Sequence, residues 1–519
     1  MAFIEITTNN LSRELANSVT AVDNWVYVPG NTITGDYSKI LFFNSLDEFK
    51  SACGDHGPEG SYTYEYVAGL LSAGMPVMFR RIACENQDLD TAVEKITRAT
   101  FKFAHDNEGS EVVDFLVEEK YGGSFGNDFR ISYRPTASAV WLDVYLGKTL
   151  IERKRLAVRR NDATEILAKD VINALKNTEF EKIRIPATSI NEDETTFDVN
   201  TQKEGVQTIT GVDFPDKDVV KEIPQTYSFI ADKMLYKPKF ITSGGYTDET
   251  SDGTYPIATA MKNLTKARQD CAAIIDLPIG SEKAEYDDAA TALSYTQYTD
   301  NEAIPSARLF GPWVYMKLGA DTYWMPPSFA YLATMGNRLL EGKKAYNPVA
   351  GLSTGVIKNV IKTEFEIGSD IAEDWQSDTE VNINPIMKIN GSTYAIGGNS
   401  TLLIPEEETG ENNLFIESSA DLTVIDIRRF VYNLATELQY QYNSTEVFET
   451  FGLRTSDYLD RMISEGAVTD YAIYNESTDA EPRVLKIRLD VYLSPTVKKI
   501  QISLNVGYGS ITMDEGGNS

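Results

Sequence analysis

An interrupted alternation of strands and helices constrains this chain more than any other feature. "NWVYVPG" reads as a strand and "KILFFNS" as another. "SLDEFKSACG" reads as a helix that Ser45 can cap, with Glu48 three residues on. "YTYEYVAGLLSAG" is an amphipathic helix ending at Gly74, and "PVMFRRI" follows as a buried strand. That order is α/β layering. From about residue 90 to 238 the pattern changes. Alternating strands such as "WLDVYLGKTLIERKRLAV" surround one helix, "ATEILAKDVINALKN", and a long polar run from Thr188 is rich in turn residues. The α/β pattern returns at "KFITSGGYTDE", "PIATAMKNLTKARQD" and "CAAIIDLP". A chain that leaves one pattern and rejoins it is expected to carry an insertion.

Gly311–Ser328, "GPWVYMKLGADTYWMPPS", packs two tryptophans and two tyrosines into one stretch. Lys317 and Asp321 interrupt it well short of the roughly 20 apolar residues a bilayer requires. It reads as a buried hairpin, Trp313–Met316 with Tyr323–Met325, feeding a helix whose first turn holds the prolines. Phe329, Leu332, Ala333 and Leu339 or Leu340 recur there at helical spacing. A loop-rich join is expected to about residue 380. "DIRRFVYNLATELQYQY" then sets Ile427, Phe430, Val431, Leu434 and Leu438 on one helical face, and "TSDYLDRMISEGAV" forms a second helix. Two alternating strands close the chain, Leu485–Leu493 and Ile500–Tyr508, read as a terminal hairpin.

The length of 519 residues suits roughly three or four domains. A net charge of -29 opposes nucleic acid, where affinity rests on neutralising phosphates, and equally opposes anionic membranes. "MAFIEITTNN" has neither a basic nor an apolar leader region, so no secretory signal is expected. Cys53, Cys84 and Cys271 are odd in number and far apart, which suits reduced thiols in a cytoplasmic setting.

Candidate chemistry is sparse. His56 in "GDHGPEG" faintly resembles the His-Gly signature of subtilisin-type proteases, but nothing matches their nucleophile turn. His105 has no Cys or His partner at metal spacing. "DETSDG" (Asp248–Gly253) has Thr250 where a calcium loop needs a second oxygen ligand and Thr259 in place of its closing Glu. "EGKKAY" lacks the first Gly and the Ser or Thr of a phosphate loop, and "YGGSFGND" is a glycine turn between strands. No cofactor or metal, and no enzyme activity, is expected.

The marked stretches, taken in order, resemble the contractile tail sheath proteins of myophages and phage-tail-like injection machines. "SLDEFKSACG" resembles that family's Ser-x-x-Glu-Phe helix, and "EYVAGLLSAGMPVMFRRI" its helix-to-strand segment. "YGGSFGNDFRISY" is similar to the step that opens the family's inserted domain, and "TSGGYTDE" to its Gly-Gly-x-Asp-Gly loop. "GPWVYM…YWMPPSFAYLATMGNR" is similar to the Pro-Trp…Pro-Pro-Ser segment. "INPIMKINGSTYAIGGNSTL", "IDIRRFVYNLATEL" and the closing strands follow in the family's order. "KKAYNPVAG" and "AIGGNST" depart from its pattern, lacking the family's Trp and, in the second, Arg.

The resemblance implies an α/β fold with a subtilisin-like core that lacks the catalytic triad. It also implies a β-rich inserted domain, an α+β C-terminal domain and extended terminal arms. The expected partition is an arm at 1–20, a core at 21–89 and 239–380, an outward-facing insertion at 90–238, and a C-terminal sheath domain at 381–519. The chain would be a homo-oligomer, a helical sheath of stacked rings, in a virion tail built in the host bacterial cytoplasm. Its partners would be the tail tube, baseplate and tail terminator proteins, with no nucleic acid or membrane contact. Phe3, Ile4 and Ile6, and Ile500, Ile502, Leu504 and Val506, are the candidate inter-subunit strand residues, because unpaired strand edges recruit strands from other chains. Arg483, Lys486, Arg488, Lys498 and Lys499, set against only Asp490, are the candidate tube-facing residues. A bacteriocin or secretion-type injector, or an acidic hydrolase on a subtilisin-like fold, is the alternative.

Overall fold

A computed structural model describes residues 24–83, 96–135, 140–156, 168–186, 203–214, 216–248, 253–295, 303–376, 381–404, 414–442, 444–478 and 483–496. An eight-stranded sheet organises them. Its order is Thr393–Ile396, Asn384–Ile389, Ala307–Gly311, Ala272–Ile275, Phe240–Ile241, Val26–Gly30, Val77–Arg81, Leu41–Phe43. The six inner strands are parallel and both edge strands antiparallel.

Side chains alternate between the two faces, as the two-residue period of a strand requires. Val26, Val28, Val77, Phe79, Phe240, Ala272 and Ile274 enter one apolar cluster. Their neighbours Tyr27, Met78, Ile241, Ala273 and Ile275 enter the other. Helices cover both faces, which explains why Val26–Gly30 and Ala307–Gly311 are buried along their whole length. On the first face lie the helices Leu46–Cys53, Thr63–Ser72, Pro327–Leu340 and Ser418–Leu438. The second carries Asp216–Thr226, Pro256–Arg268, Lys283–Leu293 and Ser369–Trp375.

The inserted block has a third core. A four-stranded sheet (Ile183–Arg184, Ser110–Glu119, Thr100–Asn107, Val206–Ile209) packs with a three-stranded one (Phe129–Pro135, Val140–Leu146, Thr149–Leu156). Phe103, Phe115, Ile131, Tyr133 and Val144 fill the space between them, and the helix Ala168–Lys176 adds Val171 and Leu175.

Several boundaries differ from those expected. Phe214 and the helix Asp216–Thr226, expected within the insertion, pack on the second face of the core sheet. There Tyr27 donates from its hydroxyl to Thr226 O (3.1 Å) and Tyr227 to Thr242 O (3.1 Å). The stretch from residue 381, expected to start a separate domain, supplies two strands of the core sheet, and the helix Ser418–Leu438 shares the core's first cluster. The join before residue 380 holds a strand, Val360–Thr363, and the helix Ser369–Trp375. The helix expected from Asp426 begins at Ser418, because its first turns are buried all round and carry no amphipathic stripe. The next helix runs Thr445–Ser464, longer than expected. Finally, Ile487–Leu493 pairs antiparallel with Val468–Asn475, not with the following strand. The terminal arms and residues 500–508 lie outside the described residues.

Candidate assembly surfaces and the groups that hold them

The aromatic stretch forms a two-residue-turn hairpin, Val314–Leu318 against Asp321–Met325, with Val314 opposite Met325. Gly319 opens the turn at φ +63°, which glycine adopts without penalty. Only its base is buried: Val314, Met316 and Met325 face the core while residues 319–322 are exposed. The helix Pro327–Leu340 follows, with Phe329 and Leu332 buried and Leu340 exposed. Phe329 packs where Gly69 leaves room; a Cβ there would stand 2.5 Å from its ring.

Pro326 offers the start of this helix no side-chain cap. Asp276, just past the core strand Ala272–Ile275, takes that role. Its Oδ1 accepts from Ser328 N (2.7 Å) and its Oδ2 from the Ser328 hydroxyl (2.5 Å), and Tyr66 Oη lies 2.8 Å from Ser328 Oγ. Burial pushes the Asp276 carboxyl up to about 7. A serine at the carboxyl ends of parallel strands is where an α/β enzyme would place a nucleophile. Here its hydroxyl is fully buried and spent on the cap. His56 is elsewhere, exposed and bonded to Asp55 (2.8 Å). Asp248, read above as a possible calcium ligand, accepts from Ile257 N (2.6 Å) at the start of the helix Pro256–Arg268. Among the described residues no group of three or more His, Cys, Asp or Glu side chains could hold a metal ion, and no helix is long and apolar enough to cross a membrane. Cys53 and Cys271 are buried, and burial raises both thiols to about 12; Cys84 lies outside the described residues.

The joint between insertion and core is polar and buried. Arg81, at the end of Val77–Arg81, donates from Nε to Thr32 O (3.0 Å), from Nη1 to Gly35 O and Tyr121 O (both 3.0 Å), and from Nη2 to Gly122 O (2.8 Å). Glu119, from the insertion, accepts from Thr34 Oγ1 (2.9 Å) and Tyr121 N (2.9 Å). Burial lowers Arg81 to about 10 and raises Glu119. The guanidinium thus satisfies carbonyls of both parts at once.

The helix Ser418–Leu438 crosses the amino ends of the parallel strands and is bolted there by charge. Asp421 pairs with Arg308 (2.5 Å), and Ser306 and Ser418 complete that group. Asp426 pairs with Lys239 (2.5 Å), both almost fully buried, and burial lowers Lys239 to about 8. Arg429 donates to Pro238 O (3.0 Å) and Lys237 O (2.7 Å). These residues were not singled out from sequence. The available signal was a charge inside an otherwise apolar run, as in "ARLFG" and "DIRRF".

The hairpin Val468–Asn475 with Ile487–Leu493 lies on the helix Thr445–Ser464 through Val468, Leu489 and Val491. Of the candidate basic residues, Arg483 and Lys486 are exposed near its turn. Arg488 pairs with Glu476 (2.8 Å) and lies over the Tyr474 ring at 4.3 Å. The partner strand therefore brings acids, Asp470 and Glu476, that a count along Arg483–Lys499 misses. Lys498 and Lys499 lie outside the described residues, as do Phe3, Ile4, Ile6, Ile500, Ile502, Leu504 and Val506.

No protein-family model matches this sequence, and no curated protein matches it. Solved structures do. A sheath tail protein from Listeria innocua superposes with a TM-score of 0.60 at 11% identity, over 92% of this chain and 94% of that one. A sheath tail protein from Desulfitobacterium hafniense gives 0.52 at 10% identity, over 92% and 94%. A chain of the anti-feeding prophage baseplate gives 0.50 at 10% identity, over 98% of each chain. The chain has the fold of tail sheath proteins.

Proposed function

We propose that this chain is the structural subunit of a contractile phage tail sheath, which polymerises around the tail tube and contracts to drive it through a host envelope. The observation that carries this is a likeness spanning core, insertion and C-terminal elements together, 92% of the chain at a TM-score of 0.60. A shared module would cover less. In this reading the α/β core is a subtilisin-like layer without its triad, and the insertion faces outward. Phe3, Ile4, Ile6 and Ile500–Val506 add strands to neighbouring copies. The outer edges of the two-stranded hairpin sheet suit such additions. Arg483, Lys486, Lys498 and Lys499 face an acidic tube. The subunit assembles in the bacterial cytoplasm and joins the virion as stacked rings that meet tube, baseplate and terminator.

Electron microscopy of the purified chain tests this: striated tubes are expected, lost when residues 1–18 or 507–519 are removed. Persistent monomers in the intact chain would overturn it. The anti-feeding prophage match favours a second reading, the same sheath in an injector. Neighbouring capsid and terminase genes would speak for a phage. A hydrolase is the weakest reading, since labelling by a fluorophosphonate would need a Ser328 hydroxyl freed from Asp276.

A further inference from the structure

One end of the core sheet exposes apolar groups that nothing in the subunit covers. Met234 and Leu235 are 71% and 70% exposed, and Phe229 and Phe42 49% and 47%. They form one surface. Phe42, on the edge strand Leu41–Phe43, stacks on Tyr236 at 6.3 Å, and Arg80 on the adjacent strand lies over the Phe229 ring at 4.3 Å. Exposed apolar patches of this kind mark association surfaces. Lys39, Arg80 and Lys233 are set among these residues, cations in a chain of net charge -29.

The other end of the same sheet has the opposite character. The helices Lys283–Leu293 and Ser369–Trp375 expose Glu282, Glu285, Asp288, Asp370, Glu373 and Asp374, and Ile279 stands 45% exposed beside them. Lys283 is already held by Asp287 (2.9 Å). These helices cover the strands Ala307–Gly311 and Asn384–Ile389, whereas the apolar patch adjoins Val26–Gly30, Val77–Arg81 and Leu41–Phe43. At about 4.8 Å per strand the two surfaces are roughly 15–30 Å apart, too far to touch within one subunit.

We infer that copies of this chain bind head to tail along the width of the core sheet, the Phe42–Phe229–Met234–Leu235 patch of one copy seating on the acidic helix pair of the next. The occupant is a second copy because two strongly acidic chains repel everywhere except where cations and apolar groups cluster, and the complement of that cluster is present on the same molecule. A heterologous contact of this kind builds rings or helical filaments and not closed dimers. The inference rests on the sheath reading and names a surface for its lateral contacts.

The test is assembly, followed by sedimentation and negative-stain microscopy, of wild type, Met234→Asp with Leu235→Asp, and Glu285→Lys with Asp288→Lys. All changed side chains are exposed, so circular dichroism and the melting temperature should match wild type. Each variant should raise the concentration needed for assembly more than tenfold. Lys233→Glu should weaken assembly and regain it when mixed with the Glu285→Lys, Asp288→Lys chain. Wild-type tubes with unaltered variants would overturn this contact and leave the sheath reading standing. Non-tubular wild-type polymers that the variants abolish would keep the contact and overturn the sheath reading. A wild type that stays monomeric overturns the contact as well.

Discussion

At Asp276 a single carboxyl carries the start of a helix. It is buried among apolar groups, so its proton is held up to about 7 against an ordinary value near 3.8. A raised acid favours the folded state fully below its unfolded value, and that contribution is lost as pH rises through the folded one. Asp276 should therefore cost stability between about pH 4 and 7, and remain unfavourable above it. Glu364 is raised to about 7, mainly by burial, and acts in the same direction. Asp276→Asn keeps an acceptor for Ser328 N and removes the charge. It should raise the melting temperature by several degrees at pH 8 and leave it nearly unchanged at pH 5; equal effects at both would sink the assignment. The Lys239–Asp426 pair behaves oppositely on mutation. Asp426→Asn leaves a buried ammonium without its counter-charge and should cost about 3–5 kcal/mol. Lys239→Met with Asp426→Leu should recover most of that in urea unfolding. Neither site stands out in the sequence: Asp276 lies in "IIDLP" and Lys239 in "PKF", each a lone charge beside an apolar run. Which lone charge meets which depends on contacts 52 and 187 positions away along the chain, from 276 to 328 and from 239 to 426.

At the scale of elements, the inserted block is less separable than its sequence pattern suggests. Removing 90–238 would strip the helix Asp216–Thr226 from the second face, exposing Tyr27 and Ile241, and would leave Arg81 without its Tyr121 and Gly122 carbonyls. Such a deletion should give insoluble protein. A deletion limited to 97–209 keeps the covering helix. It should fold once Arg81→Met removes the orphaned guanidinium, because an unpaired buried charge costs several kcal/mol. Soluble, cooperatively melting Δ90–238 would refute the attachment. The helix itself was misassigned because "DKDVVKEIPQT" is polar on one side and follows a turn-rich run, so no local signal ties it to a sheet whose strands lie on both sides of it in the chain. By contrast the Ser45 cap was legible. Glu48 N donates to Ser45 Oγ (3.3 Å), as the spacing alone predicts.

Taken as a whole, the subunit has no evident fuel, yet a sheath must do work. The source proposed here is a difference in contact free energy between two packings of the same folded chain, a few kcal/mol per copy summed over many copies. The extended packing is then metastable and held by a kinetic barrier. Urea or heat should contract purified extended tails irreversibly without nucleotide, and the contracted form should melt higher. Acid should do so by acting on contacts between copies, since protonating Asp276 and Glu364 strengthens each subunit. A need for ATP, or re-extension once urea is removed, would sink the mechanism. What the sequence determined by itself is what depends on near neighbours: the two-residue and 3.6-residue periods, the caps and turns, the α/β order broken by a β-rich block, and eight stretches in a familiar sequence. Tertiary structure alone decided that residues 214–230 cover the core, that Ser418–Leu438 shares the core's first cluster, that Ile487–Leu493 pairs backward with Val468–Asn475, and that buried charges meet in pairs. Those outcomes turn on which surfaces bury each other across hundreds of residues, and burial is a property of the packed whole that no local pattern encodes.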